Sequence, residues 1–319
     1  MDEKPPDPPV NPLTGLPGQE TRSLGGIWQA PGSFAASGRG SRLFGGGGRR
    51  ATAVSVVSTV VVLAILVVIF LRAPGSSQVR HTFFDPRDMW QSFIGNPKKG
   101  YYSVGEAIWL NIRMFLAAEV LILILALVLA LIRQSSSPVL FPLRVLSLVY
   151  VDFFRGVPLL LVIYAIGFGL PALRLPLVSS QPYAVYGVVA LVLSYSAYVS
   201  EVYRAGLNSV HRSQVAAARS LGLSQATTLR YVILPQAVRN IIPPLLNDFI
   251  SLQKDTALVG VLGAIEANQA AQIYASTVFN YSSFTVAAIL FLILTIPLAR
   301  FTDRLIDADR RRRLAGATQ

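Results

Sequence analysis

Residues 215–236 read VAAARSLGLSQATTLRYVILPQ and connect two apolar segments, each long enough to cross a lipid bilayer. The consecutive alanines favour a short helix, and Gly222 is suited to end it because glycine adopts a positive φ angle without steric cost. Ser224 can then cap a second helix that runs towards Leu234 and Pro235. This pattern predicts a rigid helix–turn–helix element that is displayed at a membrane surface for docking to another protein.

The composition of the whole chain is that of a membrane protein. Of its 319 residues, 53% are hydrophobic and only 14% are charged, whereas a soluble domain carries about 25% charged residues. The chain has no cysteine, and its two histidines, His81 and His211, lie far apart in the sequence. Disulfide frameworks, thiol chemistry and a metal site are therefore not expected.

The hydrophobic runs predict how many times the chain crosses the membrane. A helix needs about 20 apolar residues to span the hydrocarbon core. The predicted spans lie near 52–71, 105–132, 145–170, 184–203, 240–262 and 283–303. Gly156 and Pro158 interrupt the third span, which predicts a broken or kinked helix. Pro243 and Pro244 make the fifth span the least regular of the six.

The distribution of Lys and Arg predicts the orientation, because cytoplasmic loops are enriched in both residues. With the N-terminus inside, the inner segments contain 19 of the 28 basic residues and the outer segments contain 6. The other three, Arg113, Arg155 and Lys254, lie within spans. Both termini and the 204–239 loop are therefore expected in the cytoplasm. Topology, rather than nucleic-acid binding, then explains the net charge of +12.

Changes in composition along the chain suggest the domain organisation. Residues 1–50 are rich in Pro, Gly and Ser, which predicts a disordered cytoplasmic tail, and 306–319 form a second cytoplasmic tail. Residues 51–72 predict an N-terminal transmembrane helix, and the aromatic residues of 73–103 predict an extracytoplasmic interfacial segment. No Walker motif occurs in the sequence, so any ATP hydrolysis must come from another chain.

The 215–236 segment resembles the EAA loop of the membrane subunits of ATP-driven (ABC-type) importers. That loop contains Glu-Ala-Ala, a glycine four residues on, and a hydrophobic-Leu-Pro end. The matching residues are Ala217, Ala218, Gly222, Ile233, Leu234 and Pro235. Ala216 replaces the glutamate, and Ser213 replaces a glycine that commonly precedes Gln214. The lost glutamate removes a charge contact, so docking is expected to depend on shape.

Three further motifs extend the resemblance to the permeases of polar amino acid importers. Residues 150–161, YVDFFRGVPLLL, resemble the family's Tyr-x-Glu-x-x-Arg-Gly-x-Pro segment, and residues 196–210 resemble its Ala-Tyr-x-x-Glu-x-x-Arg-x-Gly stretch. Residues 234–260 are similar to its Leu-Pro-Gln-Ala and Lys-Asp-Thr/Ser-x-Leu run. The resemblance covers residues 104–305. It implies an all-α integral membrane fold with six transmembrane helices, of which five form the permease core and one is added at the N-terminus.

The resemblance implies a permease subunit in the cell membrane that takes up a polar or charged amino acid by alternating access. The chain itself would be no enzyme, since ATP and magnesium would be bound by two partner ATPase subunits. A second permease subunit, identical or related, and an extracytoplasmic binding protein would complete the complex. The binding protein is expected at 171–183 and 263–282, where Glu266 offers a charge. The implied ATPase-coupling residues are Gln214, Ala216, Ala217, Ala218, Arg219, Gly222, Leu234 and Pro235.

Ionisable residues within the spans are candidates for a substrate path, because a charge inside a membrane usually faces a cavity or a partner. The candidates are Asp152, Arg155, Glu201, Asp248, Lys254 and Asp255. A spacing of three residues lets Asp152 pair with Arg155, and Glu201 with Arg204, on one helix face. Such pairs either contact the substrate or only hold helices together.

A zwitterionic substrate needs both signs of charge along its path. Arg155 or Lys254 would meet its carboxylate, and Asp248 or Asp255 would meet its ammonium group. Two alternatives remain open: import of another small polar solute by the same machinery, and ion-coupled secondary transport. A secondary transporter has no use for an ATPase-docking loop, and the sequence lacks the nucleophile–base or metal constellation of a membrane enzyme.

Overall fold

A computed structural model describes residues 49–316, with the backbone alone described at 49–52, 309–310 and 312–316. The predicted disordered tail lies almost entirely outside the described residues. The α-helices are α1 (Arg49–Arg72), α2 (Ser76–Phe83), α3 (Pro86–Ile94), α4 (Val104–Gln134), α5 (Phe141–Gly156), α6 (Leu159–Ala172), α7 (Tyr183–Asn208), α8 (Arg212–Ser220), α9 (Gln225–Thr228), α10 (Leu234–Asp255), α11 (Ala267–Val278) and α12 (Ser282–Gly316). Shorter helical segments are Pro97–Lys99, Pro138–Leu140, Leu229–Ile233 and Thr256–Leu262.

The prediction of an all-helical membrane protein is confirmed, whereas the count of six spans is not. Four helices, α1, α4, α7 and α12, are long and apolar enough to cross a membrane, and α5 with α6 makes a fifth candidate if the bent pair is one span. Among the predicted spans, 240–262 differs most from the helix that the structure has there. There, α10 ends at Asp255 and the chain continues as a 3₁₀ segment. Asn, Gln, Asp and Lys side chains along α10 make it too polar to qualify by composition.

The predicted break in the third span is confirmed. Helices α5 and α6 meet at an angle of 110°. Val157 is extended, with φ −91° and ψ 131°, because the ring of Pro158 disfavours the helical conformation of the preceding residue. Pro158 also has no N–H to donate to the preceding turn. The bend lets α6 leave the direction of α5 instead of continuing it.

Helix α1 belongs to a separate structural unit, Met1–Ala73. Apolar residues lie on all sides of this helix, as expected for a membrane span. The hydroxyl groups of Ser58 and Thr59 donate to the carbonyl oxygen of Ser55 at 3.0 and 2.8 Å. These bonds satisfy polar side chains inside the helix, which an apolar environment requires.

Helix α7 occupies the centre of the second unit, Pro74–Gln319, where α4, α5, α6 and α10 all pack against it. The main core joins α4, α7 and α10 through residues such as Ala118, Ile122, Leu191 and Leu252. Tyr150 of α5 donates its hydroxyl hydrogen to the carbonyl oxygen of Leu193 at 2.7 Å. Small and apolar residues thus bring α7 close to its neighbours, and polar side chains add hydrogen bonds between helices.

Replacing Gly167 by alanine is expected to destabilise the bundle by about 1–3 kcal/mol. An added Cβ would collide with the side chain of Leu262, which is itself buried. Thermal unfolding of the purified protein measures the effect as a lower Tm. Gly169→Ala, two residues further along α6, is the control, because a Cβ there meets nothing within 4 Å. Equal Tm values for the two variants would show that the Gly167 contact has no energetic role.

Candidate functional site

The turn predicted at residues 220–224 is confirmed. Gly222 has φ +81° and follows the end of α8, where its N–H donates to the carbonyl oxygen of Arg219 at 3.0 Å. The N–H of Leu223 donates to Ala218 at 3.2 Å, which completes a glycine-based helix end. The hydroxyl oxygen of Ser224 then accepts from the N–H of Thr227 and caps α9. Local sequence therefore determines the shape of this turn.

The chain continues from this turn into α10 without an intervening loop. Residues Leu229–Ile233 form a π-helical turn, after which the N–H of Leu234 donates to the carbonyl oxygen of Leu229. Pro235 has no N–H, so the hydrogen-bond register of the helix is interrupted at this point. The loop at 213–235, called the coupling loop below, is thus joined by helix to the residues further along α10.

The outer surface of the coupling loop is exposed and carries apolar as well as basic and polar side chains. Leu221 is 83% exposed at its tip, and Tyr231 and Leu234 are also exposed. Among the implied coupling residues, only Ala218 is buried; the exposed ones are Gln214, Ala216, Ala217, Arg219, Gly222, Leu234 and Pro235. The apolar side chains of Leu221, Tyr231 and Leu234 are candidate contacts with a partner protein, and among them Tyr231 is of the residue type most often found as an interface anchor.

The inner surface of the coupling loop packs on the ends of α7 and α10. Val210, Ala237 and Ile241 form a small buried cluster, against which Val215 and Ile233 of the loop pack. The side-chain amide of Asn240 also donates to the hydroxyl oxygen of Ser209 at 2.7 Å. A force on the loop would therefore reach both helices.

Two neighbouring cavities lie along α7 and α10, on the path that leads away from the coupling loop. The first has a volume of about 500 Å³ and the second about 240 Å³. The first is lined by Arg155, Tyr198, Glu201, Val202, Ala205, Gly206, Ser209, Asn240, Pro244 and Asp248. The second is lined by Phe154, Val157, Leu159, Ser194, Tyr195, Tyr198, Asp248, Ser251 and Asp255. Tyr198 and Asp248 line both, so the cavities adjoin at these two residues.

Asp248 and Asp255 are both brought to the cavities, but their surroundings differ. Asp255 accepts a hydrogen bond from the hydroxyl group of Tyr195 at 2.6 Å. The Oδ2 atom of Asp248 is buried and has no hydrogen-bond partner within the described residues. Glu119 of α4 lies close enough to Asp248 for the two charges to interact. Asp248 therefore lines both cavities and has a carboxylate oxygen that the described residues leave unpaired.

The other candidate residues that the sequence suggested lie in different surroundings. Arg155 lines the first cavity, where its guanidinium lies over the ring of Tyr198 at 6.0 Å. The expected Asp152–Arg155 ion pair does not form, because Asp152 and Arg155 are exposed and Arg155 stacks on Tyr198 instead. Lys254 is exposed and lines neither cavity. Spacing along one helix showed which residues share a face, but it did not show which neighbour that face meets.

The predicted Glu201–Arg204 pair is confirmed, and it has a third member that sequence reasoning missed. Glu201 accepts from Arg204 at 3.1 Å and also pairs with Arg133 at the end of α4. Arg133 is 68 residues away from Glu201 in the chain, so helical spacing gave no signal for this contact. The cluster joins α4 to α7 near the coupling loop, while Glu201 also lines the first cavity.

The expectation that Glu266 offers a surface charge is wrong, because its side chain is fully buried. Its carboxylate accepts from the side-chain amide of Asn111 at 2.9 Å and from the N–H groups of Asn268 and Gln269 at the start of α11. Asn111 also donates to Thr256 and accepts from the N–H of Ala267. Burial raises the pKa of Glu266, although these hydrogen bonds oppose the rise. The network holds α4, α11 and the 256–262 segment together.

Replacing Asn111 by alanine is expected to destabilise the protein by about 2–4 kcal/mol. The change leaves the N–H of Ala267 unpaired in the interior and removes a donor from the buried Glu266, and each such loss costs about 1–3 kcal/mol. Chemical or thermal unfolding in detergent measures the loss. Asn247→Ala is the matched control, because Asn247 is exposed on α10. If both variants unfold like the wild type, the network does not contribute to stability.

A helical membrane bundle with charged side chains at its cavities and an exposed coupling loop defines a membrane transport protein. The chain belongs to the family of binding-protein-dependent transport system inner membrane components, which matches residues 122–312. The family resemblance expected from the sequence is thereby confirmed.

Named relatives and solved structures agree with this family. The chain is 38% identical over 192 residues to the probable amino-acid permease protein YxeN of Bacillus subtilis, covering 60% of this chain and 84% of the relative. It is 34% identical to the glutamate transport system permease protein GluC of Corynebacterium glutamicum, covering 64% of this chain and 94% of the relative. A crystal structure of an amino acid ABC transporter with histidines matches with a TM-score of 0.59 and 30% identity, covering 64% of this chain and 93% of that one. The MetNI methionine ABC transporter shares the fold. It matches with a TM-score of 0.54 and 17% identity, covering 71% of this chain and 99% of that one.

Proposed function

We propose that this chain is the permease subunit of an ATP-driven importer for a polar or charged amino acid. The observation that carries the proposal is the helical connection between two features: the exposed coupling loop continues into α10, and α10 carries Asp248 at the cavities. Relatives named as an amino-acid permease and a glutamate permease indicate the class of substrate. Import of another small polar solute is the second candidate, and nothing in the cavity favours it.

The proposed mechanism is alternating access driven by two partner ATPases. These subunits bind ATP and magnesium, and each presents a groove to a coupling loop. When the ATPases close, the loop moves, and its packing on α7 and α10 transmits the movement to the cavity walls. A second permease subunit, identical or related, supplies the other half of the path, and an extracytoplasmic binding protein delivers the substrate.

The proposed substrate site is the junction of the two cavities. Asp248 offers its unpaired carboxylate oxygen to the substrate ammonium group, and Arg155 in the first cavity meets the carboxylate. Tyr198 lines both cavities, and the Arg155 guanidinium lies over its ring. Glu201 is engaged by two arginines at the inner end of the first cavity, so we assign it a positioning role.

The proposed topology has six spans in the plasma membrane, with both termini and the 204–239 loop in the cytoplasm. Helix α10 is then the span that apolar composition does not reveal. Its residues 240–255 extend about 24 Å, and the 3₁₀ segment Thr256–Leu262 adds about 14 Å, which together are enough to cross the hydrocarbon core. Its polar residues include Asp248 and Asp255 along the cavities, where water replaces lipid as the environment. Residues 104–305 form the permease domain, and α1 is an added span.

The proposed function is tested by purifying the tagged chain from its native membrane and identifying the co-purifying subunits by mass spectrometry. The expected result is an ATPase and a permease subunit, and ATP-dependent uptake of an amino acid when the complex is reconstituted with its binding protein. A complex without an ATPase that accumulates substrate from an ion gradient would establish secondary transport instead. ATP-dependent uptake of a solute other than an amino acid would replace only the substrate class.

A further inference from the structure

A basic pocket lies where α4 ends and α5 begins, beside the last turns of α7. Its volume is about 250 Å³. It is lined by Arg133, Phe141, Arg144, Val145, Leu148 and Arg204. These residues come from three helices that meet at the same end of the bundle as the coupling loop. The pocket is distinct from the two cavities along α7 and α10, with which it shares no lining residue.

The charges of the basic pocket are only partly balanced by the protein. Glu201 neutralises one charge and is shared by Arg133 and Arg204. Arg144 forms no ion pair within the described residues; it donates to the carbonyl oxygen of Ser137 at 3.3 Å and lies 5.7 Å from the ring centre of Phe141. Three guanidinium groups and one carboxylate leave two positive charges uncompensated at this pocket.

Two donors of the arginines that line the basic pocket are unused. The Nε–H groups of Arg144 and Arg204 are buried and make no hydrogen bond within the described residues. Buried donors without a partner are rare in proteins, and each one indicates a bound water, ion or ligand. Guanidinium groups match the geometry of phosphate oxygens, which accept several charge-assisted hydrogen bonds at once.

The remaining wall of the basic pocket is apolar and faces outward. Phe141, Val145 and Leu148 of α5 are exposed, and α5 belongs to the bent pair that qualifies as a candidate span. In a membrane these side chains contact lipid tails, while the arginines lie at the level of the headgroups. The pocket therefore combines a site for an anion with an adjoining surface for an acyl chain.

We propose that the basic pocket binds the phosphate group of a phospholipid headgroup, with the acyl chains lying along Val145 and Leu148. Basic pockets between spans on the cytoplasmic side of a membrane bind anionic headgroups in the same way. That this end of the bundle faces the cytoplasm rests on the proposed function. Because Glu201 contacts two of the arginines and also lines the first cavity, the bound phosphate would adjust the charge balance beside the transport path.

Native mass spectrometry of the full chain, purified with whatever subunits accompany it, tests this proposal. The delipidated protein is titrated with phosphatidylglycerol, with phosphatidylcholine and, in a separate arm, with inorganic phosphate. Arg144→Gln removes the guanidinium that has no carboxylate partner and leaves the Glu201 pairs in place. Arg174→Gln is the matched control, because Arg174 is exposed in the loop between α6 and α7 and does not line the pocket. No arm depends on transport or on ATP hydrolysis, so the outcome is separate from that of the proposed function.

The wild type and Arg174→Gln are expected to retain phosphatidylglycerol in preference to phosphatidylcholine. Arg144→Gln should lower that retention about fivefold, as expected for the loss of one basic residue near a membrane surface. Binding of inorganic phosphate that depends on Arg144, without any lipid preference, would support the same phosphate site with a soluble source. Equal lipid and phosphate binding by the wild type and Arg144→Gln would overturn the proposal. If Arg144→Gln does not fold, a wild type that shows neither lipid preference nor phosphate binding overturns it as well.

Discussion

Leu221→Glu is expected to abolish ATP-driven uptake and to reduce co-purification of the ATPase at least about tenfold. Leu221 is 83% exposed at the tip of the coupling loop, so its replacement removes nothing from the fold of this chain. Burying a leucine side chain in a partner's groove contributes about 1.5–3 kcal/mol, and each 1.4 kcal/mol is a tenfold change in affinity. The introduced carboxylate must in addition be desolvated. Pull-down of the tagged chain and uptake into proteoliposomes measure the two effects.

The matched control for this variant is Leu177→Glu. Leu177 is 84% exposed and lies between α6 and α7, outside the coupling loop. The same substitution there adds the same charge to the surface and should leave ATPase recovery unchanged. Only ATPase recovery is compared, because 171–183 is an expected contact of the binding protein. Retention of full coupling by Leu221→Glu would exclude the loop tip as the docking surface.

Asp248→Asn is expected to raise the KM for uptake about 30-fold or more while the complex still assembles. The substitution preserves size and removes the charge that we assign to the substrate ammonium group. Loss of one partner from a buried, hydrogen-bonded charge pair costs about 2–5 kcal/mol. Asp248 is chosen over Asp255 because its Oδ2 atom has no partner, whereas Asp255 already accepts from Tyr195. Uptake kinetics with radiolabelled amino acid give KM and the maximal rate separately.

Two comparisons make the Asp248 result specific. Asp303→Asn removes a carboxylate from an exposed position on α12 and should leave KM unchanged. An N-acetylated competitor lacks the ammonium group, so its weak inhibition should be the same for the wild type and Asp248→Asn. If the variant weakens the binding of the free amino acid and of the N-acetylated competitor equally, Asp248 shapes the cavity without contacting the ammonium group. Unchanged kinetics would remove it from the substrate path.

Much of the architecture could be predicted because its causes are local. Gly222 and Ser224 determine the turn through their own backbone preferences and hydrogen bonds, and the structure has both in the predicted roles. The break at Pro158 follows from the missing N–H and from the restriction on Val157. Long apolar runs likewise predicted α4, α7 and α12 to within a few residues, apart from the C-terminal extension of α12.

The candidate site could be predicted only in part, because helical spacing describes a single helix. Spacing correctly paired Glu201 with Arg204 but gave no indication of Arg133, which approaches from α4. It also suggested an Asp152–Arg155 pair, which is replaced by the stacking of Arg155 on Tyr198. In each case the result depends on which face of α7 meets which neighbour.

By itself, the sequence determined that this protein is an all-helical membrane protein with a helix–turn–helix coupling loop. Composition and the length of apolar runs are properties of the chain itself, and turn chemistry depends only on residues that are neighbours in the sequence. Only the tertiary structure decided that Glu266 is a buried link to Asn111 and that Asp248 has an unpaired oxygen at the cavities. The helices that bring these residues together are distant in the chain. Whether a charge is paired, buried or available to a substrate depends on packing between helices, which no local pattern encodes.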